Sequence, residues 1–175
     1  MTLPDSTTPL FARLERLGIE TTTVEHHPVF TVEEASATYD AIPGVHCKNL
    51  FMKDAKGALV LVVCPHDREI AVNQLHKHIG CKRLSFGRAD LLMEVLGVEP
   101  GSVTPFALIN DTERRVSVIL DADMMAAEVA NYHPLVNTAT TSIRTADLRR
   151  FLADLGHEVR EMDLSRAGAA PTAEA

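Results

Sequence analysis

Residues 48–63 read Lys48-Asn49-Leu50-Phe51-Met52-Lys53-Asp54-Ala55-Lys56-Gly57-Ala58-Leu59-Val60-Leu61-Val62-Val63. Two apolar runs, 48–53 and 58–63, flank Asp-Ala-Lys-Gly, a turn composition that joins two strands into a hairpin. Working toward the N-terminus, Ile42-Pro43-Gly44 is a loop, and Thr31-Val32-Glu33-Glu34 is a capping-box pattern that opens a short helix to about Tyr39. His27-Pro28 breaks a β-branched strand over 19–25. Thr8 before Pro9 predicts the cap of a first helix, with Leu10, Leu14 and Leu17 on one face and Gly18 as its stop.

Toward the C-terminus, 70–79 predicts a helix stopped by Gly80, 82–86 a short strand, and 88–96 a helix ending at Gly97. Glu99-Pro100-Gly101 is a tight turn. Residues 106–109 and 116–120 read as a second hairpin, 121–128 as a helical turn, and 131–139 as an ordered polar loop. A strand over 140–143 precedes a helix capped by Thr145, carrying Leu148, Phe151, Leu152 and Leu155, and ended by Gly156. A last strand covers 159–164, and 165–175 reads as a disordered tail. Strands and helices mix without strict alternation, linker or repeat. The expectation is one compact domain over 1–164 of mixed α/β (α+β) class.

The chain has 175 residues, 46% of them hydrophobic and 23% charged, which is globular composition. Three cysteines are an odd number, too few for a disulfide framework, and point to a reducing compartment. The N-terminus has no signal-peptide pattern, and the longest apolar run, 58–65, is far short of a membrane span. A cytoplasmic protein with no membrane partner is expected. The net charge of −7 excludes a uniformly basic nucleic-acid binder. The charge is uneven, however. Residues 46–88 carry eight Lys/Arg against three Asp/Glu, a net +5, and the remainder nine against 21, a net −12. A local basic surface for RNA on an acidic body fits this split, as does chance clustering on a solvated face.

Several chemistries find no support. His76, His78, Cys81, Cys64 and His66 lack zinc-ligand spacing, and helix residues two apart face different ways, so no metal or cofactor is expected. Neither GxSxG, GxGxxG nor a Walker loop is present. Cys47 beside Lys48 is either an activated thiol or a buried cysteine.

Three stretches remain. Lys48, at the mouth of an apolar strand, is either a phosphate-binding point charge or a solvated lysine. The Gly101-Ser102-Val103-Thr104-Pro105 loop is either a backbone N–H nest for an oxyanion or an ordinary turn. The 133–141 stretch, HPLVNTATT, lines a site or supplies turns and caps.

Together these stretches resemble the YbaK/prolyl-tRNA editing family, closest to its free-standing alanyl-tRNA(Pro) deacylase branch, ProXp-ala. The resemblance rests on His27-Pro28-Val29-Phe30 with Val32-Glu33-Glu34, Lys48-Asn49-Leu50-Phe51, the GSVTP run, FALIND over 106–111 and HPLVNTATT. It implies an editing domain with a mixed sheet surrounded by short helices. It also implies hydrolysis of a mischarged aminoacyl-tRNA ester, most simply Ala-tRNA(Pro), because a synthetase pocket rejects a smaller amino acid by only about 1–3 kcal/mol. By the same resemblance Lys48 holds the tRNA acceptor end, Gly101 orients the ester and stabilises the oxyanion, and His133 bounds the aminoacyl pocket. Asn49, Ser102, Thr104 and Asn137 are polar neighbours of the substrate, and Phe30 and Ile42 are pocket walls. A hydroxyl of the terminal ribose assists the attacking water. The partners implied are the acceptor end of tRNA(Pro) and, transiently, prolyl-tRNA synthetase. Deacylation of Cys-tRNA or another small aminoacyl-tRNA, and a non-catalytic tRNA-binding module, are the alternatives.

Overall fold

The computed structural model describes residues 3–28 and 32–165. A 3-10 turn over Asp5–Thr7 leads into α1 (Thr8–Arg16), then β1 (Thr21–Glu25), α2 (Val32–Ala41), β2 (Val45–Asp54) and β3 (Leu59–Pro65). There follow α3 (Val72–Ile79), β4 (Leu84–Phe86), α4 (Ala89–Leu96), a 3-10 helix over Pro105–Asn110, and β5 (Val116–Asp121). The order closes with α5 (Ala122–Ala126), β6 (Val129–Tyr132), β7 (Ala139–Arg144), α6 (Thr145–Leu155) and β8 (Val159–Met162). The class is the mixed α/β domain that the sequence implies. The proposed tail from 166 onward lies outside the described residues, and Ser165 is exposed.

The eight strands form one mixed sheet in the order β1-β7-β6-β2-β3-β5-β8, with β4 beside β2 off that path. The hairpin over 48–63 is the antiparallel β2–β3 pair, with Phe51 opposite Leu61 and Lys53 opposite Leu59. Asp54 closes its turn by accepting from the N–H groups of Lys56 and Ala58, both at 2.9 Å. β3 is buried on both faces, because helices cover each side of the sheet. Leu10 and Leu14 of α1, Leu92, Val95 and Leu96 of α4, and Leu148, Phe151 and Leu152 of α6 pack over Phe51, Leu61, Val118 and Leu120. Leu75 and Ile79 of α3 pack over Met52, Val60, Val62 and Ile119 on the reverse face. These spacings of three and four put each helix's apolar residues on one stripe, and full burial contributes about 1.5–3 kcal/mol per large side chain.

Two local expectations are corrected. α1 already includes Thr8, and Thr7 occupies its cap position. The second hairpin does not form. Pro105–Asn110 is a 3-10 helix, started by a proline that needs no donor and by Thr104, whose hydroxyl accepts from Phe106 N–H. Phe106, Ala107 and Leu108 are consecutive and all buried, which a half-exposed hairpin strand does not allow. β5 instead pairs in parallel with β3 and β8.

The sheet splits at β2. Its N-terminal end pairs in parallel with β6 (Val45 with Ala130, His46 with Asn131), and its C-terminal end pairs on the same edge with β4 (Met52 with Phe86 through Asp54 with Leu84). Among the described residues no strand covers 47–50 on that edge. Phe106 stacks edge-on against both Tyr132 and Phe151, at 5.8 and 5.7 Å between ring centroids. That packing fixes the 3-10 helix, and the GSVTP loop before it, against the end of β6.

Candidate functional site

At the split lies a cavity of about 160 Å3. Cys47 and Asn49 of β2 form one wall, Asn131, Tyr132 and His133 a second, and Thr38 and Tyr39 of α2 with His26 and Thr140 the rest. Strand alternation explains why Cys47 and Asn49 appear together and Lys48 does not.

Most polar groups in the walls are already engaged. Asn131 donates to the carbonyls of Pro43 (3.1 Å) and Val45 (3.3 Å) and accepts from the Ser142 hydroxyl, tying the entry to β2 onto β6. His46 donates from Nε2 to the Ile42 carbonyl at 2.8 Å. The Tyr39 ring lies 4.4 Å from both the His46 and the His66 ring centroids. His26 Nδ1 donates to the His27 carbonyl, and its Nε2 is hydrogen-bonded to Thr140 Oγ1 at 2.8 Å. His133 Nδ1 lies 3.2 Å from the Ala139 carbonyl, so Nδ1 carries the proton and Nε2 keeps its lone pair. Asn49 differs in that its Oδ1 is fully buried and has no hydrogen-bond partner among the described residues. A buried acceptor without a partner is costly and marks a place where a donor belongs.

Burial disfavours charge on several of the cavity's groups. Burial pushes the His133 pKa below its ordinary 6.5, nearby His26 adds to this, and the Ala139 carbonyl opposes it. Burial likewise lowers His46. Both therefore enter the neutral range uncharged. Cys47 is pushed up to about 12, chiefly by burial, and its Sγ lies 3.3 Å from Met124 Sδ. A thiol so protonated is no nucleophile, and the activated-thiol reading of Cys47 is set aside.

The histidine shifts give a stability prediction. A folded-state pKa below the unfolded value means that the unfolded chain binds protons first on acidification, so stability falls as pH drops below about 6.5. The melting temperature is expected to be level from pH 8 to 7 and to fall between pH 6.5 and 5.5, with a smaller fall in His133→Gln. A melting temperature that rises over that interval contradicts it.

The structure divides the other sequence-predicted residues among different places. Lys48 projects to the face opposite Asn49, and its ammonium donates to the Arg68 carbonyl. Arg68 is itself held by Asp121 (3.1 Å) and Asp123 (2.6 Å). Ser102 and Asn137 line a separate cavity of about 330 Å3. Gly101 adopts φ +93°, a left-handed conformation that side chains resist, and a Cβ there would meet only Asn137 Nδ2 at 3.9 Å. The Ser102 N–H is bonded to the Glu99 carbonyl, whereas the Gly101 N–H makes no hydrogen bond among the described residues. Thr104 is fully buried and acts as a helix cap, which leaves its hydroxyl no route to a substrate. Ile42 is buried beside a third opening of about 260 Å3 with Val24 and Val129. Phe30 lies outside the described residues. Another opening, of about 640 Å3 between α1 and the β1–β7 edge, contains none of the sequence-predicted residues. Among the described residues no cluster of three or more His, Cys, Asp or Glu could hold a metal ion.

Sequence reasoning missed His26, Thr38, Tyr39, Asn131 and Tyr132 as cavity walls, whereas Thr140 belongs to the 133–141 stretch it singled out. The period of two along β2 could have paired Cys47 with Asn49. The remaining convergence depends on β6 running parallel beside β2, a contact across some 85 residues that no local pattern announces.

Comparison with known proteins fits this geometry. Residues 26–151 match the family model described as "Aminoacyl-tRNA editing domain". The chain is 44% identical over 146 residues to Prolyl-tRNA synthetase associated domain-containing protein 1 of Danio rerio, covering 82% of this chain and 79% of that protein. It is 33% identical over 161 residues to the Prolyl-tRNA editing protein ProX of Acetoanaerobium sticklandii, covering 91% and 98% respectively. The fold is shared with a crystal structure described as a candidate trans-editing enzyme for prolyl tRNA synthetase, at a TM-score of 0.69 and 21% identity over 93% of this chain and 99% of that one. A family match that spans both walls of the cavity, with Asn49 and His133 inside it, places this chain in the aminoacyl-tRNA editing domain family.

Proposed function

We propose that this hydrolase of aminoacyl-tRNA esters acts in trans, in the cytoplasm, on Ala-tRNA(Pro), the product of alanine misactivation by prolyl-tRNA synthetase. The observation that carries the proposal is the unpartnered Asn49 Oδ1 in a cavity of about 160 Å3. An α-ammonium group is the donor that an orphaned carboxamide oxygen lacks. A space of this size takes a body no larger than about a benzene molecule, which accommodates a small aminoacyl group such as alanyl and excludes large side chains.

The other residues have compatible roles. Lys48 has three donors and uses one on the Arg68 carbonyl, leaving two for a phosphate of the acceptor end. The Gly101 N–H, without a hydrogen bond among the described residues, stands beside Asn137 at the separate cavity and is suited to an anionic oxygen there. In the reaction water adds to the ester carbonyl, the C–O bond to the ribose breaks, and alanine leaves with the tRNA hydroxyl restored. A vicinal ribose hydroxyl takes the water's proton while passing its own to the leaving ribose oxygen, and the neutral His133 presents Nε2 to the same space.

A panel of tRNA(Pro) charged with alanine, serine, cysteine and proline tests the substrate. Fastest loss of alanine is expected, with cysteine and serine slower and proline retained. Fastest loss of cysteine moves the protein to the other branch. Binding of the tRNA without loss of any ester supports the non-catalytic module instead.

A further inference from the structure

Phe86 is 58% exposed, the most exposed large apolar side chain among the described residues. Its position is imposed rather than frayed. It pairs with Met52 at the end of β4, and the next residue, Gly87, donates to the Phe51 carbonyl at 2.9 Å. A Cβ on Gly87 would lie 2.4 Å from the Phe51 ring, so the chain can pass there only as glycine. The backbone on both sides of the ring is thus fixed to β2 while the ring itself stands in solvent.

Cations lie close to it in the chain. Lys82, Arg83 and Arg88 flank it in sequence, and Lys53, opposite Ser85, follows its partner Met52 on β2 with its side chain on the other face of the sheet; all four are exposed. Arg88 lies 3.4 Å from Asp90, with both side chains mostly in water, a pairing of little strength. Lys53, Lys82 and Arg83 make no ion pair among the described residues. Cross-strand partners share a face, so Phe86 stands on the face of Met52, which is also the face of Lys48 four residues earlier on β2. At about 3.3 Å per residue the separation along the strand is roughly 13 Å. The uncovered edge of β2 at 47–50 runs between them.

We propose that Phe86 is a stacking platform for an unpaired base of the tRNA acceptor end, with Lys82, Arg83 and Arg88 following the neighbouring phosphates. An exposed aromatic ring among free cations is the combination that binds single-stranded nucleic acid without reading its sequence. The proposal rests on the aminoacyl-tRNA deacylase reading and gives that site a second contact, away from the aminoacyl cavity. A protein partner would need carboxylates placed to meet these cations, whereas an RNA strand carries a phosphate at every nucleotide, so RNA is the occupant that the charge favours.

The test compares Phe86→Ala and Phe86→Trp with wild type on alanyl-tRNA(Pro) and on 3′-O-alanyladenosine, which has no further nucleotides. Phe86→Ala is expected to lower kcat/KM on the tRNA by about five- to 150-fold and Phe86→Trp to retain it, with hydrolysis of alanyladenosine unaffected by either. Equal loss on both substrates, no loss on the tRNA, or a loss seen only when prolyl-tRNA synthetase is added overturns the platform. Fluorescence anisotropy with an uncharged acceptor microhelix separates this failure from failure of the deacylase reading. If wild type hydrolyses neither ester, weaker microhelix binding by Phe86→Ala still supports the platform, and unchanged binding refutes it.

Discussion

Asn49→Ala is expected to lower kcat/KM on Ala-tRNA(Pro) by about 10- to 150-fold while leaving the melting temperature at or slightly above the wild-type value. The magnitude is that of one hydrogen bond to a charged group, about 1.5–3 kcal/mol. The sign of the stability change is what separates this residue from its neighbours. Asn131 in the same wall donates to two carbonyls and accepts from Ser142, so its removal breaks structure. Asn49 Oδ1 is buried with no partner, so its removal relieves a desolvated acceptor. A large kinetic loss in a protein of undiminished stability identifies a group kept for its ligand. Single-turnover deacylation and a thermal melt of the same preparation read both quantities; full activity in the variant, or a collapse in stability, contradicts the assignment.

Asp111→Ala is expected to have the largest effect on stability, about 3–5 kcal/mol. Its carboxylate accepts from the N–H groups of Arg115 (3.0 Å) and Val116 (2.9 Å) and from His157 Nε2 (3.0 Å), and the side chains of Asp111 and His157 are each only 1% exposed. Truncation would leave three buried donors unsatisfied, at about 1–3 kcal/mol apiece before relaxation. For a chain of this length each kcal/mol moves the midpoint by about 2–4 °C, so a fall of roughly 10 °C or more should appear in a melt. The carboxylate also closes the loop between the Pro105–Asn110 helix and β5, and through that helix it steadies the Gly101 loop. A shift under about 2 °C would show that water replaces the carboxylate.

The central hairpin was legible because both of its runs are apolar and its turn carries the residues a turn requires. The Pro105–Asn110 helix was not, because a short apolar run reads alike as a strand or as a helical turn buried all round. Thr104-Pro105, a cap followed by a helix-starting proline, was the signal that pointed the other way. At the site, Asn49 and His133 were legible as residues, and the fold brings them into one cavity. Lys48 was legible too, but the strand's period of two sets it on the reverse face, where it fits the acceptor end better than the ester. The basic segment over 46–88 was legible only as a sum. Arg68, counted in it, is neutralised by Asp121 and Asp123, and free cations instead flank Phe86 in the chain.

The measurement that bears most directly on the whole account is the rate of amino acid loss from Ala-tRNA(Pro) and from Pro-tRNA(Pro) with purified wild-type protein in excess. The Ala-tRNA(Pro) reading, with Asn49 Oδ1 awaiting a donor in a small cavity, predicts rapid loss of alanine and a proline ester as stable as without the protein. Alanine and proline esters that decay at the same rate would contradict it.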